Sequence, residues 1–136
     1  MLDEPRHLVV DGNNVMGAAA DGWWRDPPGA ARRLLARVQC YAASTAASVE
    51  LVFDVAIPDV DEGEHDGVIV RYATRRGRDA ADDRIRDLLD SQAPAARKGG
   101  IEVVTSDRAL AASARDRGAA VSGAGSFLTR LTDAGC

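Results

Sequence analysis

The sequence predicts an α/β domain built on a parallel sheet, and three observations carry that reading. Strand-like apolar runs alternate with helix-period segments along the whole chain, the pattern of α/β folds rather than of two modules. The opening run Leu8-Val9-Val10 has no polar alternation, as expected of a strand covered on both faces. Three such runs end at or just before an aspartate (Asp11, Asp54 and Asp107), and ligands of open α/β sheets sit outside the carboxyl ends of the strands.

The chain has 136 residues, enough for one domain with a real core and no staples, and residues 1–136 are read as one unit. Seventeen Lys+Arg against twenty-one Asp+Glu leave a net charge of −4, which is not the usual footprint of a nucleic-acid binder. That balance reads differently if several acids are gathered to hold metal cations. No apolar run is long enough to span a bilayer, and Met1-Leu2-Asp3-Glu4-Pro5 does not begin a signal peptide. Cys40 and Cys136 suggest neither a disulfide framework nor a zinc site, so a soluble cytoplasmic protein without membrane association is expected.

Taken in order, the first strand runs into Asp11-Gly12-Asn13-Asn14. Gly12 lets the chain turn sharply, and the two asparagine amides can hold a carboxylate, a water or a phosphate. The bland alternative is a strand-to-loop turn, since these residues are common turn formers. Residues 16–28 read as a loop containing Trp23 and Trp24, which could stack on exposed bases but more often pin a loop to the body. Pro27-Pro28 opens a helix to about Ala43, with Ala31, Leu34, Leu35, Val38 and Ala42 on one face and Arg32, Arg33 and Arg37 largely off it. Val49 to Phe53 is the second strand, and residues 57–66, with five acids and His65, are expected to form a mobile acidic loop.

Val68 to Tyr72 makes the third strand, followed by the densest basic cluster, Thr74-Arg75-Arg76-Gly77-Arg78. A helix then starts in Asp79-Ala80-Ala81-Asp82-Asp83 and continues to about Gln92. Acids suit a first helical turn, but three within five residues exceed what capping needs. Pro94 and Gly99-Gly100 break the chain before Ile101 to Thr105, the fourth strand. Ser106 or Asp107 caps a helix to Arg117, closed by Gly118; Ala120 to Ser122 is a last short strand and Phe127 to Leu131 a final helical segment.

In a parallel sheet Asp11, Asp54, Asp107 and the helix start at Asp82-Asp83 converge on one edge. Clustered carboxylates repel one another and each carries a desolvation cost, so stability alone does not gather them. Divalent cations that prefer oxygen are the natural counter-charge. Carboxylates, such a cation and water together point to phosphodiester hydrolysis. The guanidinium groups of Arg75, Arg76 and Arg78 suit phosphate geometry beside that centre, and Arg84, Asn13 and Ser106 are further candidates for contact with the substrate.

The motifs Val10-Asp11-Gly12-Asn13-Asn14, Val52-Phe53-Asp54, Ala81-Asp82-Asp83-Arg84-Ile85 and Val104-Thr105-Ser106-Asp107, in this order and spacing, resemble the NYN domain, specifically its YacP-like bacterial branch within the PIN-like nucleases. The resemblance covers about residues 7–131. It implies a three-layer PIN-like fold, a central mainly parallel sheet flanked by helices, and a Mg2+- or Mn2+-dependent endoribonuclease. Carried over residue by residue, it implies metal binding by Asp11, Asp82, Asp83 and Asp107, support of that site by Asn14, and a recurrent family position at Asp54. The chain departs from the family's usual pattern at Asn13, at Asp83, where glutamate is common, and in the Trp-Trp loop.

A response-regulator receiver needs an acidic pair beside strand one and a lysine after strand five; Gly-Asn-Asn follows Asp11, and Lys98 precedes the fourth strand. No Gly-rich phosphate loop follows a strand. A PIN-type toxin shares the length and the acids. A non-catalytic RNA-binding domain is the alternative from another class, but its mark would be loss of an acid, and none of the principal positions is lost. RNA is thus the expected partner, with a ribosome, an antitoxin or a second copy in a homodimer as further candidates.

Overall fold

A computed structural model of the chain describes residues 7–77, 80–91 and 100–136. Arg78 and Asp79 of the basic and acidic clusters, together with Gln92, Pro94, Lys98 and Gly99, lie outside the described residues. In chain order the elements are β1 (His7–Asp11), α1 (Gly12–Ala18), a 3-10 turn (Trp23–Arg25), α2 (Pro27–Thr45), β2 (Ser48–Phe53), β3 (Gly63–His65), β4 (Val68–Tyr72), α3 (Ala80–Ser91), β5 (Ile101–Val104), α4 (Arg108–Asp116), β6 (Ala120–Ser122) and α5 (Ala124–Asp133).

The strands form one sheet in the order β3-β4-β2-β1-β5-β6, parallel throughout except for the antiparallel edge strand β3. Each central strand sends alternate residues into two separate cores, which explains the uninterrupted apolar runs. Leu8 and Val10 of β1, with Leu51 and Phe53 of β2, pack under Leu34, Leu35 and Val38 of α2 and Phe127 and Leu131 of α5. Val9, Val52 and Val103 face the other way, against Ile85 and Leu89 of α3 and Leu110 and Ala114 of α4. The result is three layers, helix–sheet–helix, as the resemblance implied.

The chain builds outward from β1 through β2 to β4, then returns across the sheet to β5 and β6. The direction of winding therefore reverses at β1, and such a switch point leaves a crevice at the carboxyl ends of the strands. Asp11 is the last residue of β1 and stands at that crevice.

Three expectations are corrected here. Helix α1 starts directly at Gly12, so Asn13 and Asn14 belong to its first turn rather than to an open turn, and the helix takes the first residues of the expected loop. The acidic segment 57–66 is held rather than mobile. Ile57 is buried, residues 63–65 pair with β4, Glu62 accepts from the Tyr72 amide at 2.9 Å, and the Tyr72 hydroxyl donates to the Val60 carbonyl at 2.6 Å. The two cysteines, which suggested no disulfide framework, form a disulfide: Cys40 of α2 bonds Cys136 across 96 residues of sequence, with Cα atoms 5.8 Å apart. Helices α2 and α5 share one face of the sheet, so the end of the chain passes beside Cys40, a proximity that sequence spacing cannot reveal.

The two tryptophans differ in their surroundings. Trp23 packs against the core and pins the loop, whereas Trp24 is 62% exposed with Arg25 over its ring.

Candidate active site

The carboxyl edge of the sheet carries a polar pocket of about 200 Å³ lined by Asp11, Asn13, Asn14, Asp54, Asp82 and Asp107. Five different elements or junctions deliver these groups: the end of β1, the first turn of α1, the residue after β2, the start of α3, and the junction of β5 with α4. Asp11 is 4% exposed and Asp82 8%. Such burial of carboxylates is costly without partners, and the hydrogen bonds around them show how the fold manages it.

Thr105 Oγ1 donates to Asp11 Oδ2 at 2.9 Å, and the same oxygen accepts the Asp107 amide at 3.0 Å, so one hydroxyl joins two of the acids. Asn13 Oδ1 accepts the Asp54 amide at 2.7 Å, and Asn14 Oδ1 accepts the Ser106 amide at 2.7 Å. The two side chains thus clamp the backbone just beyond β2 and just beyond β5, on either side of β1. Both amide groups spend their oxygen in this way, so each presents its NH2, a donor, beyond the clamp. Asp54 Oδ1 accepts the Ala81 amide at 2.8 Å and holds the start of α3, while Asp107 Oδ1 accepts the Leu110 amide at 2.8 Å and caps α4.

Burial pushes the Asp11 carboxyl up to about 6, reinforced by the nearby charges of Asp54 and Asp107, although hydrogen bonds from Thr105 and the Asn14 backbone work against the rise. A buried acid among other acids holds a proton into the mildly acidic range. It is also a strong claimant for a cation that replaces that proton.

Gly12 has a different purpose from the one expected. Its backbone is helical; what the position excludes is bulk, since a Cβ there would stand 2.6 Å from the Phe53 ring and 2.8 Å from the Val52 carbonyl. Gly12→Ala should therefore force β1 and β2 apart at their carboxyl ends, costing on the order of 1–3 kcal/mol. A denaturant melt checks this, and an unchanged midpoint would show that the two strand ends have slack.

The remaining sequence candidates fall elsewhere. Asp83, expected beside Asp82 in the centre, is turned away, because consecutive helical positions point about 100° apart. Its exposed carboxylate pairs with Arg75 Nε at 2.7 Å and Arg86 Nη1 at 3.2 Å, and the Arg75 guanidinium, followed by Arg86, holds it below the ordinary carboxylate range. Arg84, a candidate for RNA contact, bonds the Tyr72 carbonyl at 3.0 Å and Glu62 at 3.1 Å, tying α3 to β4. The Ser106 hydroxyl accepts the Ala124 amide at 2.9 Å and fixes the start of α5. Arg75 and Arg76 line a groove of about 780 Å³ that runs from Asp54 through Val55 and Ala56 to Gly77. Thr105 is the residue sequence reasoning passed over; its sign was a hydroxyl sitting two positions before an acid at the end of a buried strand.

A family model, the YacP-like NYN domain, matches residues 8–135. The chain belongs to the YacP-like NYN family. That family lies among the PIN-like nucleases, and RNA is the substrate class it implies. Two crystal structures of Rae1 (YacP) from Bacillus subtilis are similar to this YacP-like NYN domain. One, of a point mutant, has a TM-score of 0.74 at 24% identity, over 95% of this chain and 76% of that one. The other has a TM-score of 0.73 at 24% identity, over 93% and 74%. At such identity the likeness speaks for the fold. No curated protein matches the chain.

Among the described residues of this YacP-like NYN domain, no three His, Cys, Asp or Glu side chains already close on a single point as a metal site. The donor chemistry nevertheless fits a hard divalent cation: the side chains that line the pocket are all carboxylates and amides, and one of them, Asp11, is a buried acid whose proton a cation could displace.

Proposed function

We propose that this protein is a Mg2+- or Mn2+-dependent endoribonuclease. The observation that carries the reading is the pocket at the switch point, where four aspartates from separate elements meet on the carboxyl edge of a nuclease-family fold. Asp11, Asp82 and Asp107 would hold the cation, with Asp54 as a further oxygen donor. The chemistry a bound cation supplies is activation of water and neutralisation of charge on the phosphate.

The chain's own groups do the rest. Asn13 and Asn14 fix the separation of the three strand ends, and their NH2 groups are suited to non-bridging phosphate oxygens. Thr105 holds Asp11 and the Asp107 backbone in one geometry. Asp83 acts at one remove, steering Arg75 toward the groove beside Asp54. A phosphodiester backbone leaving the acidic pocket would follow that groove, where guanidinium groups meet its phosphates.

The direct test is incubation with varied single-stranded and structured RNAs, with and without Mn2+, beside an Asp82→Asn variant. The parent should cut, EDTA should stop it, and the variant should be inactive while keeping its circular dichroism. A cation also stabilises the fold it binds, by about 2.7 kcal/mol at a hundredfold excess over its Kd, and Asp82→Asn should lose most of that shift. RNA cut equally well in EDTA would rule the reading out.

The groove carries its own expectation. Replacing Arg75 and Arg76 together with Ala should weaken RNA binding across all sequences. The dependence of log K on log salt should also fall, by roughly one unit for each phosphate that the two guanidinium groups no longer neutralise. The net charge of −4 makes the measurement clean, since no general positive field masks it. An unchanged salt slope would reduce the two arginines to a solvated turn.

A further inference from the structure

A second cavity adjoins the acidic pocket and is of the opposite character. It measures about 150 Å³ and is lined almost wholly by apolar groups, among them Met16, Pro27, Ala31, Phe53, Val55 and Ile57. Asn13 borders both cavities, and Phe53 directly precedes Asp54. Val55 and Ala56 are shared with the arginine-lined groove, and Asp54 lines both that groove and the acidic pocket, so the three spaces are neighbours with common walls. Val55 is 75% exposed, an unusual setting for an aliphatic side chain beside a polar centre, whereas the Phe53 ring is buried against Gly12.

We infer that this slot receives one unstacked base of a single-stranded RNA, the base of a nucleotide that adjoins the phosphate held at the acidic pocket. The inference rests on the nuclease reading above. A slot of this volume is well below what a drug-sized ligand fills and is on the scale of one planar ring. Its walls are aliphatic and proline surface, with the Phe53 ring buried behind them, and they hold any base by apolar contact with its faces. Its polar boundary is Asn13, whose oxygen is occupied by the Asp54 amide, leaving the NH2 to donate. The slot therefore suits a base that offers a ring nitrogen or carbonyl acceptor toward the acids. A base inside a duplex is stacked and paired and cannot enter, so the slot selects single-stranded RNA, or a strand that opens locally.

The test places one abasic ribose at each position in turn of a short single-stranded RNA with non-cleavable phosphonate linkages and measures binding by fluorescence anisotropy with Mn2+ present, so that the acidic pocket is neutralised and no cleavage occurs. One position should lose about tenfold in affinity, the scale of a single base–side-chain stack, while the others change little. In Ala31→Met, which fills the slot from α2, the difference between intact and abasic RNA at that position should vanish. Ile57→Ala, which enlarges the slot, serves as a second variant should the first melt early. A series that is flat in the parent, or an abasic penalty that survives in the filled variant, overturns the proposal. An intact series in a protein that cuts no RNA with Mn2+ would overturn the nuclease reading and leave the base slot standing.

Discussion

Asp11→Asn should abolish RNA cleavage, by three orders of magnitude or more, and at the same time make the metal-free protein more stable at neutral pH. The loss of activity follows because the substitution removes the most buried charge of the proposed cation site while keeping an oxygen for the Thr105 hydroxyl. The gain follows from the raised ionisation of Asp11, from 3.8 to about 6. Below the unfolded value the carboxyl is protonated in both states and its contribution to folding is fully present. As pH climbs through about 6 the folded state must accept a buried charge, and that contribution is lost. The cost is on the order of 3 kcal/mol. Urea melts in EDTA should thus show the parent losing stability between pH 4 and pH 6.5 relative to the variant, with the gap closing at lower pH. Parallel pH profiles would mean that Asp11 is not the group strained by burial. An increase in stability on loss of function is what a site organised for chemistry rather than for folding gives.

Reducing the Cys40–Cys136 bond should have the largest effect on stability. The bond closes a loop of 96 residues, so it restricts most of the unfolded chain. The chain-entropy treatment puts that restriction at roughly 4–5 kcal/mol, and for a domain of this size the melting temperature should fall by on the order of 15 °C. Melts with and without dithiothreitol, beside Cys40→Ser, measure it, and thiol titration of the unfolded, unreduced protein should find no free sulfhydryl. Identical melts would show that the α2–α5 face holds equally well by apolar packing. Activity measured under both conditions separates fold stability from the site, since neither cysteine lines the acidic pocket.

Much of the acidic centre was legible in the sequence. Asp11, Asp54 and Asp107 each follow an apolar run, and parallel strands must bring such positions to one edge; Asp82 falls at the start of the helix that crosses back over the sheet. What sequence could not give was phase and proximity. Asp83 is adjacent to Asp82 in sequence but turned away by the helix, and it answers to Arg75 instead. Asn13 and Asn14 look like turn formers, and only the register of β1 between β2 and β5 shows that each clamps a different neighbour. Arg84 and Ser106 carry groups fit for RNA, yet the fold spends both on tying elements together. The short strand β3 is hidden in a segment whose acids suggest solvent, because its order comes from the β4 edge and the Tyr72 contacts rather than from its own composition.

The placement of β1 also fixes when the acidic pocket can be completed. Protein synthesis runs from the amino end, and by Ser91 the emerging chain holds β1, β2, β4, three of the aspartates and both asparagines, of which only Asn13 has its clamping partner. It still lacks Thr105, Asp107 and the amide of Ser106 on which Asn14 closes. One flank of β1 remains an open strand edge until β5 is made, and nothing yet holds Asp11 on that side. A fragment ending at Ser91 should accordingly show neither RNA cleavage nor a Mn2+-induced melting shift. The order of the strands in the sheet thus leaves the proposed site incomplete until β5 and the residues just beyond it have been made.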